Sequence, residues 1–270
     1  MAELQNTIGI LGRELIRTQI TGEGEWPKNT VLYQPYETEQ MLLPDSSKCL
    51  AVKTFLKMLK LDFIVEAREN AEYMSPHRGK VPFIKAAQFL VADFEPIVNF
   101  AQSKGYSLSS HLTEPQQKWD LRVYMALVNN VLLNAEIYVT WNHESTYKEI
   151  TKPRYSSVYP FPLNHLATYH KRKTMLSYLT VLNWKDKTLD EVFKEVDKVC
   201  SSLSSVLGEK NYFFNNKPTE LDALVFGHLF AIITTPLLNN RFAATIRAYD
   251  NLVQLCVRIE RDFFQSRILR

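Results

Sequence analysis

Gly79-Lys80-Val81-Pro82-Phe83-Ile84 opens a short apolar run, and Phe89-Leu90-Val91 forms a second run after a turn at Ala86-Ala87. Proline has no N–H for a ladder hydrogen bond and its φ is fixed, so it is expected at the first residue of a strand. The apolar positions after Asp93 are spaced as on one face of a helix. The stretch therefore predicts a strand, a turn, a second strand and a helix.

The residues before this stretch predict a crossover unit. Val31-Leu32-Tyr33 and Phe63-Ile64-Val65 are typical of strands, and a helix introduced by Pro44-Asp45-Ser46 lies between them. A strand, a helix and a strand in this order predict a parallel pair with a right-handed connection. Residues 28–107 are thus predicted to form a β-α-β-β-α domain, followed by a polar linker within residues 103–116.

Beyond the linker, residues 113–270 are predicted to form an all-helical domain. Apolar residues recur at helical spacing in a first long helix. They are Leu121, Met125, Val128, Leu132, Ala135 and Val139. A second amphipathic helix spans 189–207, with a capping box at Thr188 and Glu191 and a C-cap glycine at Gly208. The Thr219-Glu220-Leu221-Asp222 stretch predicts a further capped helix start.

Composition excludes several classes of function. The chain has 270 residues, is 46% hydrophobic and 23% charged, and carries a net charge of +3. This balance gives no electrostatic reason to expect nucleic acid binding. Basic runs at residues 170–173 and near the C-terminus are interpreted as solvated helix faces, with a weak attraction to anionic lipid as the alternative. The apolar run 223–238 is too short to span a bilayer and is expected to be a core helix.

Cysteine and histidine usage argues against redox and metal chemistry. Cys49, Cys200 and Cys256 are far apart and form no CxxC pair, which indicates a reducing compartment. The six histidines never pair with cysteine or acidic residues at ligand spacing, so no metal site is expected. His165 and His170, five residues apart, do not share a helix face.

The first 27 residues are expected to be an N-terminal extension. Leu4, Ile8, Leu11 and Leu15 fall on one helical face, while Glu3 and Glu14 are unusual in a mitochondrial presequence. We interpret this segment as a short helix docked on its own domain. A helix that binds a partner or a membrane surface is the alternative.

The order of these elements resembles the glutathione-transferase fold over about residues 28 to 268. The fold class expected from the resemblance is α+β and mostly α, with a thioredoxin-like domain followed by a helical domain. In that fold the bond before the strand proline is cis, which would apply to Pro82. In that fold, an acidic residue followed by a serine binds glutathione, and the pair stands just after the second strand of the hairpin. This chain has Asp93 and Phe94 at those two positions.

Three longer stretches resemble the metaxin family, and within it the metaxin-2 branch. They are residues 70–76 leading into 79–84, residues 159–165, and residues 212–215 continuing through 218–229. The resemblance implies a cytosol-facing, peripheral protein of the mitochondrial outer membrane. It also implies a heterodimer with a second, membrane-anchored metaxin, contact with the β-barrel sorting and assembly (SAM) machinery, and a link to motor adaptors. Membrane attachment would then be indirect, through the partner.

The resemblance marks four positions of a vestigial glutathione site. Tyr36 is the best candidate for an activating hydroxyl, although a structural tyrosine is the preferred interpretation. Pro82 and Asp93 match the residue types of that site. Asp93 is nevertheless better explained as the N-cap of its own helix. Phe94 replaces the hydroxyl donor with an apolar ring. Cys49 is interpreted as a packing cysteine, and no catalytic residue and no cofactor are expected.

The segment with Tyr155, Tyr159 and Phe161 is interrupted by prolines and cannot form a long helix. If exposed, these rings are a candidate partner interface, since aromatic residues concentrate at hot spots. If buried, they fill the seam between the domains. Glu136, inside the first long helix, is interpreted as a polar contact between helices.

Two functions follow. The preferred one is a non-enzymatic subunit in mitochondrial protein import and β-barrel assembly, or in transport along motors. The alternative is a glutathione-binding protein or enzyme with a rearranged site.

Overall fold

The computed structural model describes residues 25–77 and 79–264. The N-terminal helix predicted around Leu4 lies outside these residues, as do Arg267 and Arg270 of the basic C-terminal run. Within the described part of the chain, no helix combines the length and apolar content needed to cross a membrane.

The first half builds a four-stranded sheet in the order β2-β1-β3-β4. Its elements are β1 (Val31–Gln34), α1 (Leu43–Met58), β2 (Ile64–Ala67), α2 (Ala71–Met74), β3 (Phe83–Ala86), β4 (Phe89–Ala92) and α3 (Phe94–Ser103). The first two strands are parallel, and β3 is antiparallel to both β1 and β4. The predicted parallel pair with its helical crossover and the predicted β3–β4 hairpin are confirmed, whereas the pairing of β1 with β3 and the short α2 were not predicted.

Pro82 stands immediately before β3, as its missing N–H requires. The Val81-Pro82 peptide bond is cis. The Pro82 carbonyl accepts a hydrogen bond from the Asp93 N–H at 3.1 Å, which joins the start of β3 to the start of α3.

The second half is helical. Its elements are α4 (Pro115–Ile137), α5 (Glu144–Thr146), α6 (Lys152–Ser156), α7 (Leu163–Val181), α8 (Leu189–Leu207), α9 (Glu220–Thr234), α10 (Arg241–Arg247) and α11 (Asp250–Phe263). Two π-helical turns, Tyr138–Asn142 and Tyr147–Thr151, follow α4 and α5. The predicted apolar stripe of the first long helix is buried throughout.

Sequence patterning missed α7 because few of its side chains enter the core. Only Ala167, Thr168 and Leu179 are buried over its 19 residues. The predicted cap of α8 is confirmed, since Glu191 accepts a hydrogen bond from the Thr188 N–H at 2.7 Å and its own N–H donates to the Thr188 hydroxyl at 3.3 Å.

The two halves share one hydrophobic core, and α9 packs along α1 more extensively than any other pair among the described elements. Gly227 allows this approach. A Cβ at Gly227 would lie 2.6 Å from the Ala51 Cβ, the Ala51 nitrogen and the Ser47 carbonyl oxygen.

Candidate functional site

A cleft of about 920 Å³ lies between the sheet half and the helical half. The starts of α1 and α3 form one wall, and α4, α7 and α9 form the other. Its charged lining residues are Asp45, Lys48, Glu72, Lys80, Asp93, Glu95 and Lys171. Because cations and anions alternate in the lining, the cleft has no strong preference for either sign of ligand.

A carboxylate of the chain itself already occupies the N-terminus of α3. The Asp93 carboxylate accepts from the Phe94 N–H at 3.0 Å and from the Lys80 ammonium at 2.7 Å. Burial pushes the pKa of Asp93 up, but Lys48 and Lys80 outweigh it, so the net pKa is lowered. A carboxylate that is ionised and engaged in this way caps its helix. This geometry favours the cap interpretation of Asp93.

Phe94 is among the residues that line the cleft, but its ring packs against the core. It is buried in the core, with its ring edge-on to Phe55 at a centroid distance of 5.9 Å. At the position where a glutathione-binding protein of this fold would have a hydroxyl, this chain therefore has an aromatic ring that packs in the core.

The other predicted positions lie outside the cleft lining. Tyr36 follows β1, is 39% exposed and does not line the cleft, and neither does Pro82. Cys49 is fully buried within α1, and this burial raises the pKa of its thiol. The prediction of a packing cysteine at Cys49 is confirmed by its burial.

A buried ion pair crosses between the halves at the cleft. The Lys171 ammonium of α7 lies 2.7 Å from one Glu72 oxygen, and the Tyr155 hydroxyl donates to the other at 3.0 Å. Burial lowers the pKa of Lys171, but Glu72 and Asp45 outweigh it, so the net pKa is raised. The interpretation of residues 170–173 as a solvated face is wrong for Lys171, because this partner is distant in sequence.

A second buried cluster joins three helices. Glu136 of α4 accepts from the Ser47 hydroxyl of α1 at 2.6 Å, and its other oxygen lies 2.7 Å from Nδ1 of His228 on α9. Nε2 of His228 has no hydrogen-bond partner among the described residues, and His228 lines the cleft. Glu136 makes the predicted contact between helices. Ser47 and His228 were missed because only tertiary packing brings them to Glu136.

The three predicted interface aromatics separate into two environments. Tyr155 is buried against Trp141 and Tyr159, and the Tyr159 hydroxyl donates to the Glu69 carbonyl at 3.2 Å. Phe161 is 81% exposed. The geometry therefore favours the seam interpretation for the two tyrosines and leaves Phe161 available at the surface.

The two remaining cysteines are packing residues. Cys200 and Cys256 are buried, and burial raises the pKa of each thiol to about 12. A thiol at that pKa is almost entirely protonated at neutral pH and is a poor nucleophile. Within residues 25–77 and 79–264, no group of three or more histidine, cysteine, aspartate or glutamate side chains is placed to hold a metal ion.

The chain matches two domain families. Residues 47–146 match the glutathione S-transferase N-terminal domain, and residues 196–259 match the glutathione S-transferase C-terminal domain. A solved glutathione S-transferase from Actinobacillus pleuropneumoniae superposes with a TM-score of 0.52, at 11% identity over 86% of each chain. Glutathione transferase F7 from Populus trichocarpa gives 0.52 at 12% identity, over 86% of this chain and 93% of that one. These likenesses establish the fold.

Relatives with higher identity establish the family. Human metaxin-2 is 48% identical over 254 residues, covering 94% of this chain and 96% of the relative. The metaxin-2 homolog of Caenorhabditis elegans is 41% identical over 210 residues, covering 78% and 90%. Mouse metaxin-1 is 26% identical over 222 residues, covering 80% and 69%. The chain therefore belongs to the metaxin family, within its metaxin-2 branch, on a glutathione-transferase-like fold.

Proposed function

We propose that this protein is a non-catalytic subunit of a complex on the cytosolic face of the mitochondrial outer membrane. It pairs there with a second, membrane-anchored metaxin and acts in protein import and β-barrel assembly, with a further role in linking mitochondria to motor adaptors. The observation that carries the proposal is the 48% identity to human metaxin-2 over nearly the whole chain.

The cleft supports a non-catalytic role. Phe94 fills core space where a ligand hydroxyl partner is needed, and Asp93 is engaged by Lys80 and by its own helix. The Tyr36 side chain does not line the cleft. A transferase needs an activated thiol or hydroxyl beside its ligand, and these candidates provide none.

Co-purification tests the proposal. The full chain, tagged and expressed at native level, is isolated from detergent-solubilised mitochondria, and its partners are identified by mass spectrometry. We expect a second metaxin and at least one β-barrel assembly subunit. A tagged outer-membrane protein of unrelated family is the control. Recovery of neither partner above that control would contradict the proposal.

Attachment is tested separately. We expect alkaline carbonate to release the chain from mitochondria, and depletion of the anchored metaxin to shift it to the cytosolic fraction. Retention on membranes after both treatments would contradict attachment through a partner.

One observation favours the alternative of glutathione binding. The cleft is open, and the unpartnered Nε2 of His228 lines it. Isothermal titration with glutathione into the millimolar range distinguishes a cleft that binds glutathione from one that does not. Phe94→Ser, which restores a hydroxyl, is the matched variant. No saturable heat is expected for the natural chain. Saturable binding that is lost in His228→Leu would establish a ligand site and overturn the non-binding role of the cleft.

A further inference from the structure

Helix α7 carries an unusual distribution of charge. Its 19 residues contain no aspartate or glutamate, while Lys171, Arg172, Lys173 and two histidines lie along it. Lys171 pairs with Glu72, and Arg172 pairs with Glu144, but Lys173 has no ion pair within the described residues. The outer side of the helix is therefore positive.

Apolar side chains project from the N-terminal end of this helix. Phe161 is 81% exposed, Leu163 49%, Leu166 54% and Tyr169 63%. We call these four residues the α7 ridge. Scattered exposed apolar residues are ordinary, but four within nine positions of one helix end form a patch that needs an explanation.

A groove of about 590 Å³ runs beside the ridge, between α7 and the second π-helical turn. Lys152, His165, Arg172, Lys173 and Lys185 line it, together with uncharged side chains, and no acidic residue lines it. Among the described residues Lys152 and Lys185 make no ion pair. We call these five side chains the basic groove, and their charge is suited to an anion.

We propose that the α7 ridge and the basic groove bind directly to an anionic membrane surface. The ridge side chains enter the boundary between headgroups and acyl chains, and the groove lysines contact lipid phosphates. This inference goes beyond the proposed function and adds a weak, reversible lipid contact to the attachment through the partner, so release from the membrane is still expected when the partner is depleted.

Side-chain type favours a lipid surface over a protein partner. Protein interfaces are depleted of lysine and enriched in arginine. Three of the four permanently charged groups in the basic groove are lysines, and its one arginine is already held by Glu144 and the Trp141 carbonyl. Long lysine stems suit a membrane boundary because they keep the ammonium among headgroups while the stem lies on apolar material.

Vesicle co-sedimentation of the full chain tests the proposal. The vesicles are phosphatidylcholine alone, or phosphatidylcholine with about one lipid in four replaced by phosphatidylserine. We expect binding to the anionic vesicles that falls as salt rises, and little binding to the neutral ones. Lys173→Gln with Lys185→Gln is expected to weaken the binding about tenfold or more. Phe161→Ser with Leu166→Ser is expected to weaken it to a similar extent.

Matched controls change the same chemistry elsewhere. Lys194→Gln and Val257→Ser alter an exposed lysine of α8 and a half-exposed valine of α11. Both are expected to bind vesicles as the natural chain does, and circular dichroism confirms that every variant is folded. If the natural chain stays in the supernatant, or if groove and ridge variants bind like the controls, the proposal is overturned.

Two other outcomes also overturn it. One is protection of the groove lysines from acetylation by inorganic phosphate but not by anionic vesicles, which would mark a free-anion site. The other is protection by a synthetic acidic amphipathic peptide but not by vesicles, which would mark a protein-docking surface. The vesicle and acetylation experiments do not depend on recovering a metaxin from mitochondria, so they and the co-purification can fail independently.

Discussion

At the scale of single residues, Gly227 sets the distance between α9 and α1. A Cβ there meets two backbone atoms of α1 at 2.6 Å, and backbone cannot move aside as a flexible side chain does. We expect Gly227→Ala to destabilise the protein by about 2 kcal/mol or more, despite the better helix propensity of alanine. Urea denaturation measures the change.

Ser201→Ala, on the exposed side of α8, is the control for this variant and is expected to change stability by less than about 0.5 kcal/mol. A Gly227→Ala protein as stable as the natural chain would show that the two helices are not in close contact.

Burial of the Asp222 carboxyl determines the direction in which it makes the stability of the protein depend on pH. Desolvation raises the pKa of its carboxyl from the ordinary 3.8 to about 6, although the Phe213 and Thr219 N–H groups oppose the rise. The folded state therefore holds this proton more tightly than the unfolded state. Its contribution to stability is largest at low pH and is lost as the pH rises from about 4 through about 6.

We expect the free energy of unfolding of the natural chain, relative to that of Asp222→Asn, to fall by roughly 2 kcal/mol between pH 4 and pH 7. Urea denaturation of both proteins across this range provides the comparison, which cancels the other carboxylates. Parallel curves for the two proteins would contradict the assignment to Asp222.

At the scale of elements, the buried ion pair between Glu72 and Lys171 connects α2 to α7. The Glu72 and Lys171 side chains are 6% and 11% exposed. Removing one partner leaves the other charged and buried, so Glu72→Gln and Lys171→Met should each cost about 3 kcal/mol. The double variant should cost clearly less than the sum, because no unpaired charge remains. Thermal and urea unfolding of the four proteins complete the cycle.

Lys198→Gln removes an exposed pair with Glu195 and is expected to cost less than about 1 kcal/mol. Strict additivity of the Glu72 and Lys171 changes would show that the two side chains are not coupled in solution.

At the scale of the whole molecule, the sheet half and the helical half are expected to unfold together. The two domains predicted from sequence, 28–107 and 113–270, share a continuous core in which α1 packs on α9. In a variant that retains only Trp26, in the sheet half, and in one that retains only Trp141, in the helical half, we expect the tryptophan fluorescence and the far-ultraviolet circular dichroism of the same variant to change at the same urea concentration. Fluorescence follows each half. Two separated midpoints would contradict a shared core.

Sequence patterning predicted those elements whose apolar residues follow a regular period. The four strands were predicted from short apolar runs, and α1, α3, α4, α8 and α9 from apolar residues at helical spacing or from their start signals. It missed α7 and α10, besides the very short α2, α5 and α6. The first buries only a few side chains, and the second is a seven-residue helix. Periodicity reports burial, so a helix that forms the wall of a cleft leaves a weak signal.

The sequence by itself determined the succession of strands and helices along the first domain, the cap at Thr188, the packing role of Cys49 and the replacement of a hydroxyl donor by Phe94. Each depends on local propensity or on the identity of one residue. Only the tertiary structure decided that Lys171 faces Glu72 rather than solvent, that Glu136 meets His228, and that Phe161 is exposed while Tyr155 is buried. These pairings join residues far apart in the chain, and packing of the two halves brings them together.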